Sequence, residues 1–348
     1  MLSFITSFLP TSYLLPGWLT LDVNPLESLL QGLVGACGIS VLCSLMRVHL
    51  FLEEESWSDE NDSDKSSQKA PSLERSTKTG FTGMIQFFFV TVMLSVVGSR
   101  VASLVVLEFC LRAVSGYVTA GPPRKFLLQL LVQSQFPLGC ALNCSLSFLH
   151  EEAPQRWLCL LLAVALSWFL ARQATRLLHH VMTLYKLHSS QRYCGICISL
   201  LTSGRCLLPM LCRTLIITFS VAVFAAVSII NQHFLSATEA LRFWTPLTIC
   251  YTLLVVYMQE DQHRLPGSQA VLNTVVVRLG GLMVLMLTVG RWADVLHILM
   301  CFLGEASCLI PDKDLLDAAS SEDEEDYVHY AMSEHRQRIH AQGKKRRR

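Results

Sequence analysis

The sequence predicts an all-α fold, a multi-pass transmembrane helix bundle of about seven to nine helices with broken or hairpin segments. Three observations carry that prediction. Charged residues make up 16% of the 348 and hydrophobic residues 52%, whereas ordinary globular domains carry about 25% charge. The apolar residues come in blocks of roughly 20, the length that crosses a bilayer at 1.5 Å per residue. The charges are segregated into loops and a C-terminal tail. A net charge of +1 supplies no field to draw nucleic acid or an acidic substrate, so the partner implied by the composition is the lipid bilayer. The 13 cysteines are odd in number and most lie in apolar blocks, where a thiol acts as a small hydrophobe, which argues against a secreted disulfide framework.

Taken in order, residues 1–27 are apolar, lack a basic n-region and are broken by Pro10 and Pro16. They read as a lumenal or extracellular lead-in rather than a cleaved signal. Residues 28–52 hold the first transmembrane helix, whose Gly32, Gly35 and Gly38 permit close approach of a neighbour. Residues 53–80 are acidic and serine-rich with little to bury, which predicts a disordered cytoplasmic loop.

Residues 81–311 form the multi-pass membrane domain. Its first block, 81–120, is too long for one crossing and suits a hairpin broken near Gly98, Ser99 and Arg100. After the turn at Gly121, Pro122 and Pro123, residues 126–149 predict a span kinked at Pro137. Residues 157–171 are short for a span, but they continue into a basic stretch with Arg172, Arg176, His179, His180 and Lys186, as a helix emerging at a membrane surface would. Residues 193–212, interrupted by Gly204, Arg205 and Pro209, predict a re-entrant or interfacial segment, and residues 214–230 a clean span. Residues 243–258 predict another, with Trp244 and Tyr257 placed as an aromatic belt. The block 271–310 suits a second hairpin, broken near Gly290 and Arg291, and MLTVGR (286–291) echoes MLSVVGSR (93–100) as paired broken helices would. Residues 312–348 read as a charged, disordered cytoplasmic tail whose final KKRRR suits anionic lipid.

Three kinds of candidate residue stand out. Arg100, Glu108, Arg112, Arg291 and Asp294 lie within apolar blocks, where an isolated arginine costs about 3 kcal/mol. Glu108 and Arg112 are one turn apart and can pair on one face, as can Arg291 and Asp294, with His297 and Glu305 as further polar groups. Arg100 lies about 12 Å from Glu108 along a straight helix, so a break at Gly98 would bring it to an interface. These charges either pair with one another or line a path for a small polar or ionic solute. Cys194 and Cys197, with His188 nearby, have the spacing of half a zinc site, with packing or reversible acylation as the alternatives. Ser320 and Ser321 precede Glu322, Asp323 and Glu324, a pattern that acidophilic kinases accept. No phosphate loop, nucleophile elbow or metalloprotease helix is present, so the chain reads as a non-enzyme without a cofactor. Intramembrane charge favours transport, and the alternative is a scaffold that recruits partners through its cytoplasmic loop and tail.

VVGSRVASLVVLEFCLRAVS (96–115), LHSSQRYCGIC (187–197), RFWTPLTICYTLLVVYMQED (242–261) and LTVGRW (287–292) together resemble the transmembrane protein 82 family, in the same order and at similar spacing. The resemblance covers about residues 28–310. It implies a multi-pass membrane protein and no particular activity, and nothing is carried over to the first loop or the tail.

Lysine and arginine are missing from residues 1–46 but recur in the first loop, at Lys65, Lys69, Arg75 and Lys78, and in the tail. The positive-inside rule therefore puts the N-terminus outside and the C-terminus in the cytoplasm, which needs an odd number of crossings. Nine fits if both long blocks are hairpins and residues 193–212 do not cross. The sequon Asn61, Asp62, Ser63 should then stay unglycosylated in cells; an endoglycosidase-sensitive glycan on Asn61 would reverse the orientation.

Overall fold

The computed structural model describes residues 25–61, 80–120, 124–151, 155–188, 195–232, 248, 267–289 and 292–310. Among them are nine helices and no strands. They are α1 (Pro25–Asn61), α2 (Gly80–Val96), α3 (Ser99–Ala120), α4 (Arg124–Gln133), α5 (Gln135–Glu151), α6 (Arg156–His188), α7 (Gly195–Gln232), α8 (Gly267–Val289) and α9 (Trp292–Leu309). Helices are what apolar segments must form in lipid, because each backbone N–H and C=O is then satisfied within its own segment. By length and apolarity α1, α3, α6 and α7 each contain a stretch able to cross a membrane, at Pro25–Leu52, Ser99–Val118, Arg156–Met182 and Leu207–Gln232. α2 and α8 contribute shorter apolar stretches.

Side-chain contacts fix the helix directions. On α1 the Cys37 thiol meets Ser167 of α6, and further along Val48 and Phe51 pack with Leu177, Leu178 and Val181, so α1 and α6 run parallel. Leu207 of α7 joins that same end cluster. The far part of α7 places Phe224 against Phe148 of α5, with ring centroids 5.7 Å apart, next to Ser147, which bonds Gln31 near the start of α1 at 3.3 Å. α7 therefore opposes α1. α5 opposes it as well, since Gly139 lies beside Gly35 while Ser147 reaches back to Gln31.

Both long apolar blocks are hairpins. α2 ends at Val96 and α3 starts at Ser99; Gly98, a weak helix former, sits in the break, whose flanks close through Val97 N–H to Met93 C=O and Ala102 N–H to Gly98 C=O, each 3.0 Å. α3 then returns along the bundle, with Ser103 beside Cys144 of α5 at 3.3 Å and Arg112 bonded to Gln133 of α4. In the second block Arg278 of α8 bonds Glu305 of α9, the one 11 residues before the end of α8 and the other 13 residues after the start of α9. The hairpins lean on each other: Gln86 donates to the Ser307 carbonyl at 3.0 Å, and Gly98 runs beside the His297 ring. Most of the apolar core lies between α1, α2, α3, α5, α7, α8 and α9. α6 instead exposes Trp157, Leu161, Leu162, Leu166 and Phe169, the surface of a helix that faces lipid.

Three sequence expectations are corrected. α1 begins at Pro25 and runs on to Asn61, into the segment expected to be a disordered loop from residue 53; Glu53, Glu54 and Glu55 are good helix formers that need no burial. Residues 126–149 are two helices rather than one kinked span. Pro137 lacks an N–H and its ring crowds the carbonyl of Gln133, so α4 stops there, and Ser134 caps it through an N–H to Leu131 C=O contact of 3.2 Å. The segment 193–212 is not a separate re-entrant piece, because α7 is one helix from Gly195 with Pro209 inside it. The span expected at 243–258 lies outside the described residues apart from Thr248.

The glycines of α1 are points of close packing. A methyl group added at Gly32 would stand 2.7 Å from the Thr91 carbonyl oxygen and 2.8 Å from the Ser95 nitrogen, whereas nothing lies within 4 Å of that position at Gly83. Gly32→Leu should therefore lower stability in detergent by about 1–3 kcal/mol. Gly83→Leu should leave the thermal midpoint unchanged, and equal midpoints for the two variants would contradict this packing.

Candidate functional site

Inside the bundle, four ionisable side chains of opposite sign meet. Glu108 of α3 sits 3.4 Å from Arg112 one turn along the same helix, and 3.1 Å from Arg278 of α8. Arg278 also bonds Glu305 of α9. Arg112 donates to Gln133 at the end of α4, and its guanidinium lies 5.3 Å from the Phe109 ring centroid, within range of a cation–π contact. The result is a chain in the order Arg112, Glu108, Arg278, Glu305, with no net charge. Relative exposure along it is 8%, 2%, 1% and 1%.

Local sequence explains each placement. Spacing of four residues puts Glu108 and Arg112 on one face of α3. The break at Ser134 ends α4 where the Gln133 side chain can cap Arg112. Arg278 of α8 and Glu305 of α9 meet side by side, and Arg278 reaches Glu108 of α3. Each charge alone would cost about 3 kcal/mol in the bilayer interior, and the alternation of sign is what makes four of them tolerable together.

A second, looser polar layer lies near the break at Gly98 and the start of α9. Arg100 of α3 stands 3.8 Å from Asp294 of α9, with side-chain exposures of 21% and 4%. It sits about 12 Å along α3 from Glu108, so the two layers share a helix without touching.

Of the residues singled out from sequence, Arg100, Glu108, Arg112 and Asp294 are all found in ion pairs, and the Glu108 and Arg112 pair is the expected one. Asp294 meets Arg100 across the two hairpins, and Arg291 lies outside the described residues. Arg278 is the residue that sequence reading missed. It is a lone arginine in VLNTVVVRLGGLM (271–283), the same signal that marked Arg100 but without a nearby carboxylate to draw notice. Cys194, Ser320 and Ser321 lie outside the described residues, as do the side chains of His188 and Cys197. Among the described residues no three His, Cys, Asp or Glu side chains are grouped to hold a metal ion. The cysteines Cys140, Cys144, Cys301 and Cys308 are buried in the core.

A family model for transmembrane protein 82 matches residues 26–330. The chain belongs to the transmembrane protein 82 family. The match opens at the start of α1 and contains both hairpins, so the whole ion-pair chain lies within the transmembrane protein 82 region. No solved structure matches this chain. Family and apolar helices together make it an integral membrane protein.

Charge balance in this chain has a measurable consequence. Arg278→Met leaves Glu305 buried without its arginine and removes one of the two partners of Glu108, at a cost of about 3–5 kcal/mol. Adding Glu305→Met restores neutrality and should recover about half of that loss or more. Unfolding in detergent compares the two, and a double variant less stable than the single one would rule out a balanced chain.

Proposed function

We propose that the protein is a non-catalytic multi-pass membrane scaffold, whose intramembrane charges lock its helices together and whose charged cytoplasmic segments recruit partners. The observation that carries this reading is the buried, sign-alternating chain of Arg112, Glu108, Arg278 and Glu305. Those charges are engaged with one another, so the feature that favoured transport in the sequence is accounted for by helix–helix adhesion. Recruiting surface is available on one side: α1, α6 and α7 meet at the end cluster of Val48, Phe51 and Val181, and all three helices extend past it. At 1.5 Å per residue α1 and α7 are each about 55 Å long, well beyond a hydrocarbon core of about 30 Å.

The orientation that accompanies this reading has the N-terminus lumenal or extracellular and the C-terminus cytoplasmic. It is supported by the alternation of directions, with α1, α3, α6 and α9 running one way and α2, α5, α7 and α8 the other. The end of α7 and the start of α8 fall on opposite sides, as nine crossings require. Deleting residues 53–78 and 312–348 should strip the protein of its proximity-labelled neighbours while membrane insertion persists. An unchanged labelling profile would remove the scaffold reading.

A transport reading retains one favourable observation, the loose, partly exposed Arg100 and Asp294 contact stacked on the same helix as Glu108. Opening of both layers would present carboxylates to a small cation or polar solute. Ion-loaded vesicles carrying the protein should then leak in a manner abolished by Asp294→Asn or Glu108→Gln; the same flux in both variants would exclude this reading.

A further inference from the structure

We infer that the half of the bundle toward the C-terminal end of α1 carries a binding surface for anionic phospholipid headgroups, built from Arg172 and Arg176 of α6 and Arg213 of α7. This surface is separate from the basic tail, and it does not depend on the scaffold reading.

All three arginines are exposed, and among the described residues none has an ion-pair partner. They belong to antiparallel helices that meet at one place, the cluster where Leu177, Leu178 and Val181 of α6 and Leu207 of α7 pack around Val48 and Phe51 of α1. From that cluster Arg172 is about 7 Å back along α6 and Arg213 about 9 Å forward along α7. Because the helices oppose each other, both displacements lead the same way along the bundle, about one to two turns from the cluster toward the start of α1. The arginines therefore lie at nearly one depth.

On α6 that depth is where the exposed apolar surface stops. On α6 the exposed apolar run of Trp157, Leu161, Leu162, Leu166, Phe169 and Leu170 ends just before Arg172. On α7 the exposed apolar residues Ile216, Ile217, Val221 and Phe224 follow Arg213, and Met210 one turn before it is exposed as well. Arg172 and Arg176 are one turn apart and share a face of α6. Arg47 of α1, half-buried, adds a further positive charge beside Val48, and α1 carries no carboxylate between Glu27 and Glu53.

A phospholipid is the complement of such a surface. Its acyl chains lie along exposed leucine, isoleucine and phenylalanine, and its phosphate meets a guanidinium fork that donates two parallel hydrogen bonds. A zwitterionic headgroup carries its own ammonium to offset those arginines, so a net negative headgroup is preferred. Near an anionic leaflet each arginine is worth about fivefold in preference.

The test uses the full-length chain in vesicles of equal parts phosphatidylserine and phosphatidylcholine, extracted gently and weighed with its bound lipid by native mass spectrometry. The wild-type protein should retain phosphatidylserine in clear excess. The triple variant Arg172→Gln, Arg176→Gln, Arg213→Gln should lose that excess by about tenfold or more, while a chain lacking KKRRR should keep it. Lysine at the same three positions should restore most of the excess, which separates charge from folding. Equal retention of the two lipids by the wild-type protein overturns the inference without reference to any variant. Loss of the excess on removing the tail alone would also overturn it.

Discussion

Arg278 is the constraint on which the rest of the bundle turns. It is nearly inaccessible, it comes from the middle of an apolar helix, and it can be there only because Glu108 and Glu305 reach it from two other helices. In lipid, apolar side chains gain little by leaving the solvent, since the solvent is as apolar as they are. Specific association of helices must then come from close packing and from polar groups that have no other partner. An arginine between two glutamates is the strongest form of that demand. It ties the α2–α3 hairpin to the α8–α9 hairpin, and Arg112 extends the tie through Gln133 to the break between α4 and α5.

Close packing does the same work for the other half of the molecule. Gly32, Gly35 and Gly38 open one side of α1 to α2 and α5, and the Asn143 side chain of α5 donates to the Leu94 carbonyl of α2 at 3.1 Å. α1, α2 and α5 are thereby drawn together at backbone distance. α6 is parallel to α1 and packs along it over an extensive seam, while its outward-facing leucines and aromatics remain for lipid. The bundle has a polar, charge-linked half around α3, α8 and α9 and a close-packed half around α1, with α2 and α5 shared between them.

Much of this was legible residue by residue. The break at Gly98 needed only a glycine beside a charge in a block too long for one crossing, and the Glu108 and Arg112 pair needed only helical periodicity. Other features were hidden for physical reasons. A proline predicts trouble for a helix without saying whether the result is a kink or a stop; at Pro137 the chain stopped, and at Pro209 it continued. The end of α1 was misjudged because hydropathy reports where lipid contact ends, while a helix of glutamates continues unaided into water. Arg278 carried no local signal for a partner, since its carboxylates lie far off in sequence, on α3 and on α9.

By itself the sequence determined the solvent of this protein, its helical class and the positions of most helices, because those follow from local hydropathy and from the need of every backbone group for a partner within its own segment. It also set the sidedness expected from lysine and arginine. Only the tertiary structure decided which charges share a site, that α1 and α6 run parallel, and that Arg172 and Arg213 stand at one depth. Those are relations between segments far apart in the chain. They depend on which faces pack, and the preference of a residue for lipid or water is the same for every such arrangement.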